Sequence, residues 1–197
     1  VEFSKIALKR GITAIASDFY GEGVVGGITA IRNILDIGKQ LPIKVFYLLP
    51  IPGYIQNGKF GHNGNLNIME MNEILDWNEC VGTCDTFATE IINGNKDLID
   101  LCRKAQKLGK KISGHGSQLS NDQINDWIRI IKETDDHECK DENEMLYKLR
   151  RGIGVSMRLA SGSEDLHNLV NLLKINKHID TRKITLNADV ISASDLK

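Results

Sequence analysis

The chain has 197 residues, of which 41% are hydrophobic and 26% charged, and its formal net charge is -1. This length and composition predict a single globular domain over residues 1–197 with an adequate core. The near-neutral charge argues against nucleic acid or an anionic membrane as a partner. No apolar run is long enough to cross a bilayer, and the charged N-terminal stretch lacks a signal-peptide core. The cysteine content described next leads us to expect a cytoplasmic protein.

Four cysteines are present, Cys80, Cys84, Cys102 and Cys139. A chain of this length does not need disulfides to fold, so we predict reduced thiols. Cys80 and Cys84 have the spacing of half a zinc knuckle, but no matching second pair accompanies them. A zinc knuckle is therefore the less favoured interpretation.

Short β-like runs alternate with helical runs along the whole chain. In the first half we predict strands at 12–17, 43–49 and 79–84, helices at 26–40, 68–77 and 96–108, and a Gly- and Asn-rich loop at 51–66. In the second half we predict strands at 110–113, 134–137, 153–158 and 182–187, and helices that begin at 120, 141 and 164. Ser120 with Gln123, and Asp141 with Glu144, are typical of helix N-caps.

This order amounts to about seven β-then-α units, which is the pattern of a parallel α/β fold. Two architectures fit it, a (β/α)8 barrel and a doubly wound open sheet. A whole barrel takes about 250 residues, so the barrel interpretation implies an incomplete barrel that is short of one unit.

Polar side chains follow the predicted strands, at the end where barrels place their chemistry. These residues are Asp18, Asp85, His115, His137, Glu138, Arg158, Ser161 and Asp189. Imidazole and carboxylate are the ligands of catalytic zinc, iron or manganese. However, a histidine after a strand is also an ordinary hydrogen-bonded loop residue, and 135–138 is also typical of a solvated acidic turn.

Several segments together resemble the bacterial adenine deaminases of the amidohydrolase superfamily. Residues 111–120, KISGHGSQLS, are similar to the family's K-P-V-D-G-H-A-P-G-L-S, and 136–139, DHEC, match its S-D-H-E-C. Residues 144–151 are similar to the helix that follows this motif, and 152–166 resemble G-M-x-x-M-I-R-E-G-S-A-x-x-N-L. The order of the segments is kept along essentially the whole chain, and 110–166 is the most specific block.

The resemblance implies a (β/α)8 TIM barrel of amidohydrolase type, incomplete here, with a divalent metal (Mn, Fe or Zn). It implies His115, His137 and Asp189 as metal ligands. The family's reaction, in purine metabolism, is attack of a metal-activated water on adenine, which gives hypoxanthine and ammonia. We expect Asp189 and Glu138 as catalytic residues. We expect contacts to a small-molecule substrate from Arg158, Ser161 and Asp18.

The chain also departs from the family pattern. The family's first H-x-H would precede Val1, and its D-P-H-E stands here as residues 18–21, DFYG. A bridging glutamate of the family falls at Thr83, and a further glutamate falls at Leu159. These changes leave open another cyclic amide or amidine substrate, or a degenerate barrel that binds a ligand or partner without catalysis. Because a missing strand exposes sheet edges, we also expect an open barrel or a homo-oligomer.

One local expectation concerns the glycines on either side of His115. Gly114 and Gly116 carry no side chain. We expect them to let a ring nitrogen of His115 reach the mouth of the barrel without crowding.

Overall fold

The computed structural model describes residues 2–52, 66–132, 135–159, 163–187 and Asp189. The chain divides into two compact units. The first consists of Val1–Thr86 with Asn95–Ile112, and the second of Phe87–Gly94 with Ser113–Lys197. Within the described residues, every helix is too short or too polar to span a lipid bilayer. The single domain over 1–197 stays a prediction.

Strands and helices alternate in the described residues as the sequence predicts. In chain order they are α1 (Glu2–Lys9), β1 (Ala14–Ser17), α2 (Tyr20–Gly38), β2 (Lys44–Leu49), α3 (Ile68–Asp76), β3 (Cys80–Phe87), α4 (Ala88–Ile92), α5 (Lys96–Lys107), β4 (Lys111–His115), α6 (Asn121–Ile130), β5 (Asp135–Asp136), α7 (Glu142–Arg150), β6 (Gly154–Arg158), α8 (Asp165–Ile175), a 3-10 turn (Thr181–Lys183) and β7 (Ile184–Asn187).

In the first unit, β1 pairs with β2 and β2 with β3, both in parallel. The register of the second pair shifts between Tyr47 and Leu48. The next neighbour of β3 is β4. A Cβ at Gly82 would lie 2.4 Å from the carbonyl oxygen of Lys111. The close approach of these two backbone segments therefore requires glycine at position 82. Buried side chains of α2, α3 and α5, such as Leu35, Ile74 and Leu101, form the apolar interior.

In the second unit, β4, β5, β6 and β7 pair in parallel in chain order. A buried apolar cluster lies beside this part of the sheet. It consists of Cys139, Met145, Val155, Met157, Leu169 and Leu172. These side chains come from β6, from α7 and α8, and from the segment between β5 and α7, so the cluster packs the two helices against β6.

Parallel strands that follow one another in chain order, each separated by a helical segment, confirm the predicted fold class, an incomplete (β/α)8 TIM-barrel-like α/β fold. Each predicted strand is present within a few residues of its predicted bounds. The capping box of α6 is also confirmed. The hydroxyl of Ser120 accepts from the backbone N–H of Gln123 at 3.2 Å, and the side-chain Oε1 of Gln123 accepts from the backbone N–H of Ser120 at 2.9 Å.

The helices differ in places from those predicted from the sequence. Helix α2 begins at Tyr20 rather than at 26, with a kink at Gly27 (φ 60°). Its glycines favour a loop locally, but packing of the helix on β2 overrides that preference. The sequence predictions include neither α1 nor α4, and the five residues of α4 are too few to show a helical period. Residues 53–65 of the predicted loop, and 134 of the fifth strand, lie outside the described residues.

Candidate functional site

Two histidines of the second unit face each other at the carboxyl ends of neighbouring strands. In the register of β4 and β5, Gly114 lies opposite Asp136, so His115 and His137 each come one residue after a paired position. Their ring centroids are 5.5 Å apart with an interplanar angle of 75°. A nitrogen of one imidazole lies within 4.8 Å of a nitrogen of the other. The parallel pairing of two short strands therefore brings these imidazoles together from positions far apart in sequence.

The space beside His115 is filled by an aromatic residue of α6. A Cβ built at Gly114 would lie 2.5 Å from the Trp127 ring, and one at Gly116 would lie 2.6 Å from it. Trp127 is fully buried. The glycines around His115 therefore make room for the indole of Trp127, a contact that no local sequence pattern indicates.

Other groups in the second unit also surround the His115 ring. The Phe87 ring lies with its centroid 4.8 Å away, at 60°. The Nδ1 atom of His115 is 4.0 Å from the Oε1 atom of Glu138, which is outside hydrogen-bonding distance. His115 is thus placed between an apolar ring and a carboxylate, and its side chain is still 37% exposed.

Arg158, at the end of β6, joins three carboxylates. Its guanidinium is 4% exposed. It donates to Asp165 from Nε at 3.0 Å and from Nη2 at 2.7 Å. Its Nη1 donates to Glu138, and also to Asp189 at 3.0 Å. Burial tends to lower the pKa of Arg158, but the hydrogen bonds that it donates to Asp165 and the charge of Glu138 outweigh burial and raise that pKa.

Asp189 follows β7 in a left-handed backbone conformation, with φ 44°. Its carboxylate lies against Arg158, as described above. Among the described residues, it does not share with His115 and His137 a set of ligand atoms that are all within 4.8 Å of one another. The structure therefore brings Asp189 to the Arg158 cluster, and its assignment as a metal ligand stays a prediction.

Three further residues were singled out from the sequence. Ser161 lies outside the described residues. Leu159, where the family pattern has a glutamate, is 44% exposed. In the first unit, Thr83 is fully buried, and its hydroxyl lies 3.1 Å from that of Thr86, so a hydroxyl pair occupies the position where the family pattern has a bridging glutamate.

Asp18 belongs to a small polar cluster of the first unit, with Cys84 and Asp85. Burial raises the pKa of Asp18, and the charges of Asp85 and Glu22 add to this, while the Tyr20 N–H, which donates to Asp18 at 3.3 Å, opposes it. Burial likewise raises the pKa of the Cys84 thiol well above its usual value. The cluster therefore combines two partly buried carboxylates with a buried thiol at strand ends.

Sequence reasoning missed one residue that contacts both histidine-bearing segments, Lys148 of α7. Its side chain is fully buried and lies 2.8 Å from Asp136 and 2.7 Å from Glu144. The spacing of Glu144 and Lys148, four residues apart on one helix, was the available signal. That spacing is usual for exposed pairs, so it did not indicate burial.

The fold and these side chains define an incomplete (β/α)8-barrel-like protein with histidines and carboxylates at the carboxyl ends of its strands. No protein-family model matches the chain. The chain is 29% identical to an adenine deaminase of Staphylothermus marinus, over 98% of the chain and 32% of that relative. It is 26% identical to an adenine deaminase of Bacillus subtilis, over 100% of the chain and 33% of the relative. It is 27% identical to one of Listeria welshimeri, over 84% of the chain and 28% of the relative.

These comparisons confirm the resemblance that the motifs indicate. The chain is similar to proteins named adenine deaminase over most of its own length, at low identity. It spans about a third of the length of those curated relatives.

Proposed function

We propose that the protein is an adenine-deaminase-like, metal-dependent hydrolase that converts adenine and water to hypoxanthine and ammonia. The observation that carries this proposal is the pair of facing imidazoles, His115 and His137, at adjacent strand ends. Similarity to adenine deaminases over most of the chain supports it.

The residues present fit a divalent metal of the Mn, Fe or Zn type. Two imidazole nitrogens bound to one ion at about 2.0–2.1 Å are at most about 4.2 Å apart. The nitrogens of His115 and His137 lie within 4.8 Å of each other, so a small ring rotation suffices. We propose these two as ligands, with Asp189 as the third. When bound, such an ion lowers the pKa of a water molecule toward neutrality and stabilises charge in the transition state.

Glu138 is the proposed proton carrier, together with Asp189. Glu138 follows His137 directly, is held by Arg158, and has the ammonium of Lys140 at 3.6 Å. A carboxylate with two cationic partners keeps one orientation, as a general acid–base group requires. Since Arg158 also binds Asp189, one guanidinium orients both proposed proton carriers.

Arg158, Ser161 and Asp18 are the proposed contacts to the adenine ring. Arg158 already faces three carboxylates, so direct contact with a substrate would have to replace one of them. Asp18 is a partly buried carboxyl with a raised pKa. It can present a protonated oxygen, or an anionic one, to a heterocycle nitrogen.

Ammonia release from adenine tests this proposal. The protein is loaded with Mn, Fe or Zn and assayed for ammonia and hypoxanthine. His115→Ala and His137→Ala are expected to abolish turnover and reduce the metal bound at equilibrium. His178→Ala, at an exposed turn of the same unit, is the matched control and is expected to keep both. A wild-type protein that binds no metal and releases no ammonia would contradict the proposal.

Substitutions at family positions favour two alternatives. Tyr20, Gly21, Thr83 and Leu159 differ from the residue types of the pattern, which suits another cyclic amide or amidine substrate, or a barrel that binds a ligand without turnover. A panel of purines, pyrimidines and cyclic amides separates the first from adenine. Metal binding with no turnover on the whole panel would favour the second.

We also propose that the protein forms a homo-oligomer. In the second unit, β7 is the last strand in the strand order, and its Leu186 is 73% exposed. An edge strand with an exposed apolar residue is suited to pairing with another strand. Light scattering tests this, and a monomer at micromolar concentration would contradict it.

A further inference from the structure

We propose that Lys148 is a positioning residue, which fixes the spacing between the segments that carry His115 and His137. Its consequence for metal binding rests on the function proposed above. Its consequence for the backbone of the two segments does not.

The ammonium of Lys148 has three partners in the second unit. Its Nζ atom lies 2.7 Å from the carbonyl oxygen of Gly116 and 2.7 Å from Oε1 of Glu144. It is also 2.8 Å from Oδ2 of Asp136. The first two contacts are hydrogen bonds and the third is an ion pair. Gly116 follows His115, and Asp136 precedes His137. One buried cation is thus bonded next to both histidines.

The two carboxylates extend these contacts to the backbone of both segments. Asp136 accepts from the N–H of Glu138 at 2.8 Å. Glu144 accepts from the N–H of Gln118 at 3.1 Å through one oxygen. It accepts from the N–H of Lys140 at 3.1 Å through the other. Backbone N–H groups that follow His115 and His137 therefore donate to carboxylates that both contact Lys148.

Backbone strain in one of the two segments supports a holding role. Gln118 has φ 57°, which is unfavourable for a side-chain-bearing residue, and such conformations persist where surrounding contacts enforce them. Its amide is one of the groups bound by Glu144. The contact from α7 therefore holds a strained turn just after His115.

A contribution to the stability of the fold does not by itself explain why a lysine is buried at position 148. Removing an ammonium from water costs several kcal/mol, and an apolar side chain of similar size is often as stable in such a place. Burial by itself lowers the pKa of Lys148, but Asp136 and Glu144 outweigh it and raise the pKa. The side chain is accordingly charged at neutral pH, and a charged group can bind three specified acceptors where an apolar one cannot.

Lys148→Met is the decisive variant, and Leu169→Ala is its matched control. Leu169 is fully buried in the same unit, so its truncation reduces stability without touching the lysine contacts. Hydrogen exchange is measured, in metal-free protein, at the amides of Gln118, Glu138 and Lys140. Affinity for Co²⁺ and Zn²⁺ is measured by calorimetry, and the visible spectrum of bound Co²⁺ reports on ligand geometry.

We expect Lys148→Met to raise exchange at the three amides more than Leu169→Ala does. We expect it to weaken metal binding by about 10- to 100-fold, as loss of outer partners of metal ligands does. If Lys148→Met does not fold, Glu144→Gln is tested in the same way. The inference is overturned if exchange matches the control, or if exchange rises while the affinity of a metal-binding protein is unchanged. A wild-type protein that binds no metal would count against the proposed function, and the exchange data would then decide the role of Lys148.

Discussion

The indole ring of Trp127 occupies the space that a side chain at Gly116 would need. A Cβ at this glycine would lie 2.6 Å from the ring and 3.0 Å from Oδ2 of Asp136. Because the helix α6 places a fully buried tryptophan against the residue after His115, packing of the core and the orientation of the candidate ligand depend on each other.

Gly116→Ala is expected to destabilise the protein by about 1–3 kcal/mol, since the added methyl group overfills a packed interior. Urea denaturation followed by tryptophan fluorescence measures this change. Gly21→Ala is the control. A Cβ there meets nothing within 4 Å, and in a helix alanine is favoured over glycine by up to about 1 kcal/mol. Equal effects of the two substitutions would contradict the packing argument.

Arg158→Met is expected to destabilise the protein by up to about 3–5 kcal/mol, because it leaves two buried carboxylates with only the more distant, partly exposed ammonium of Lys140. Glu138 and Asp165, each 11% exposed, account for most of this cost. The free energy of unfolding is measured in urea at pH 7. Arg182→Met removes a well-formed but exposed pair with Asp180 and is expected to leave the denaturation midpoint within error. A small effect at Arg158 would show that water reaches these carboxylates.

Asp18→Asn is expected to stabilise the protein at pH 7 and to have little effect near pH 4. The pKa of Asp18 is raised above 3.8 on folding, chiefly by burial, so the folded state binds the proton more tightly than the unfolded state. Stability associated with Asp18 is therefore highest at low pH and is lost as the pH rises from 3.8 through the folded pKa. Unfolding free energies of both proteins across this range measure the difference.

Asp36→Asn is expected to change the unfolding free energy with the opposite pH dependence. The pKa of exposed Asp36 is lowered, chiefly by its hydrogen bond from Lys39. Its stabilising contribution is therefore present above pH 3.8 and is lost as the pH falls through the folded pKa. The same pH trend for Asp18→Asn and Asp36→Asn would contradict the desolvation of Asp18.

The cysteines are expected to react slowly with a thiol reagent in the folded protein. All four are free and buried. Burial raises the pKa of the Cys80, Cys84 and Cys139 thiols, so little reactive thiolate is present at pH 8. Ellman's reagent should label four thiols quickly in guanidinium chloride and far more slowly without it. Rapid labelling of a native thiol would show local opening.

Much of the fold could be predicted from local patterns. The apolar face of α5, the capping box at Ser120 and the run before Pro50 each mark an element through short-range chemistry, and each lies where it was expected. Helix α2 shows the limit. Its glycines disfavour a helix locally, and only packing on the sheet makes the helix begin at Tyr20.

The candidate site likewise has features that local sequence patterns predict and features that they do not. Local patterns predict which residues follow strands, and motif resemblance singles out His115 and His137 among them, because strand ends and motifs are local features. The surroundings of those histidines depend on tertiary contacts. The ring of Trp127, the carboxylates on Arg158 and the buried ammonium of Lys148 come from distant helices and strands. Contacts of this kind depend on strand register and helix packing, which no local pattern of residues specifies.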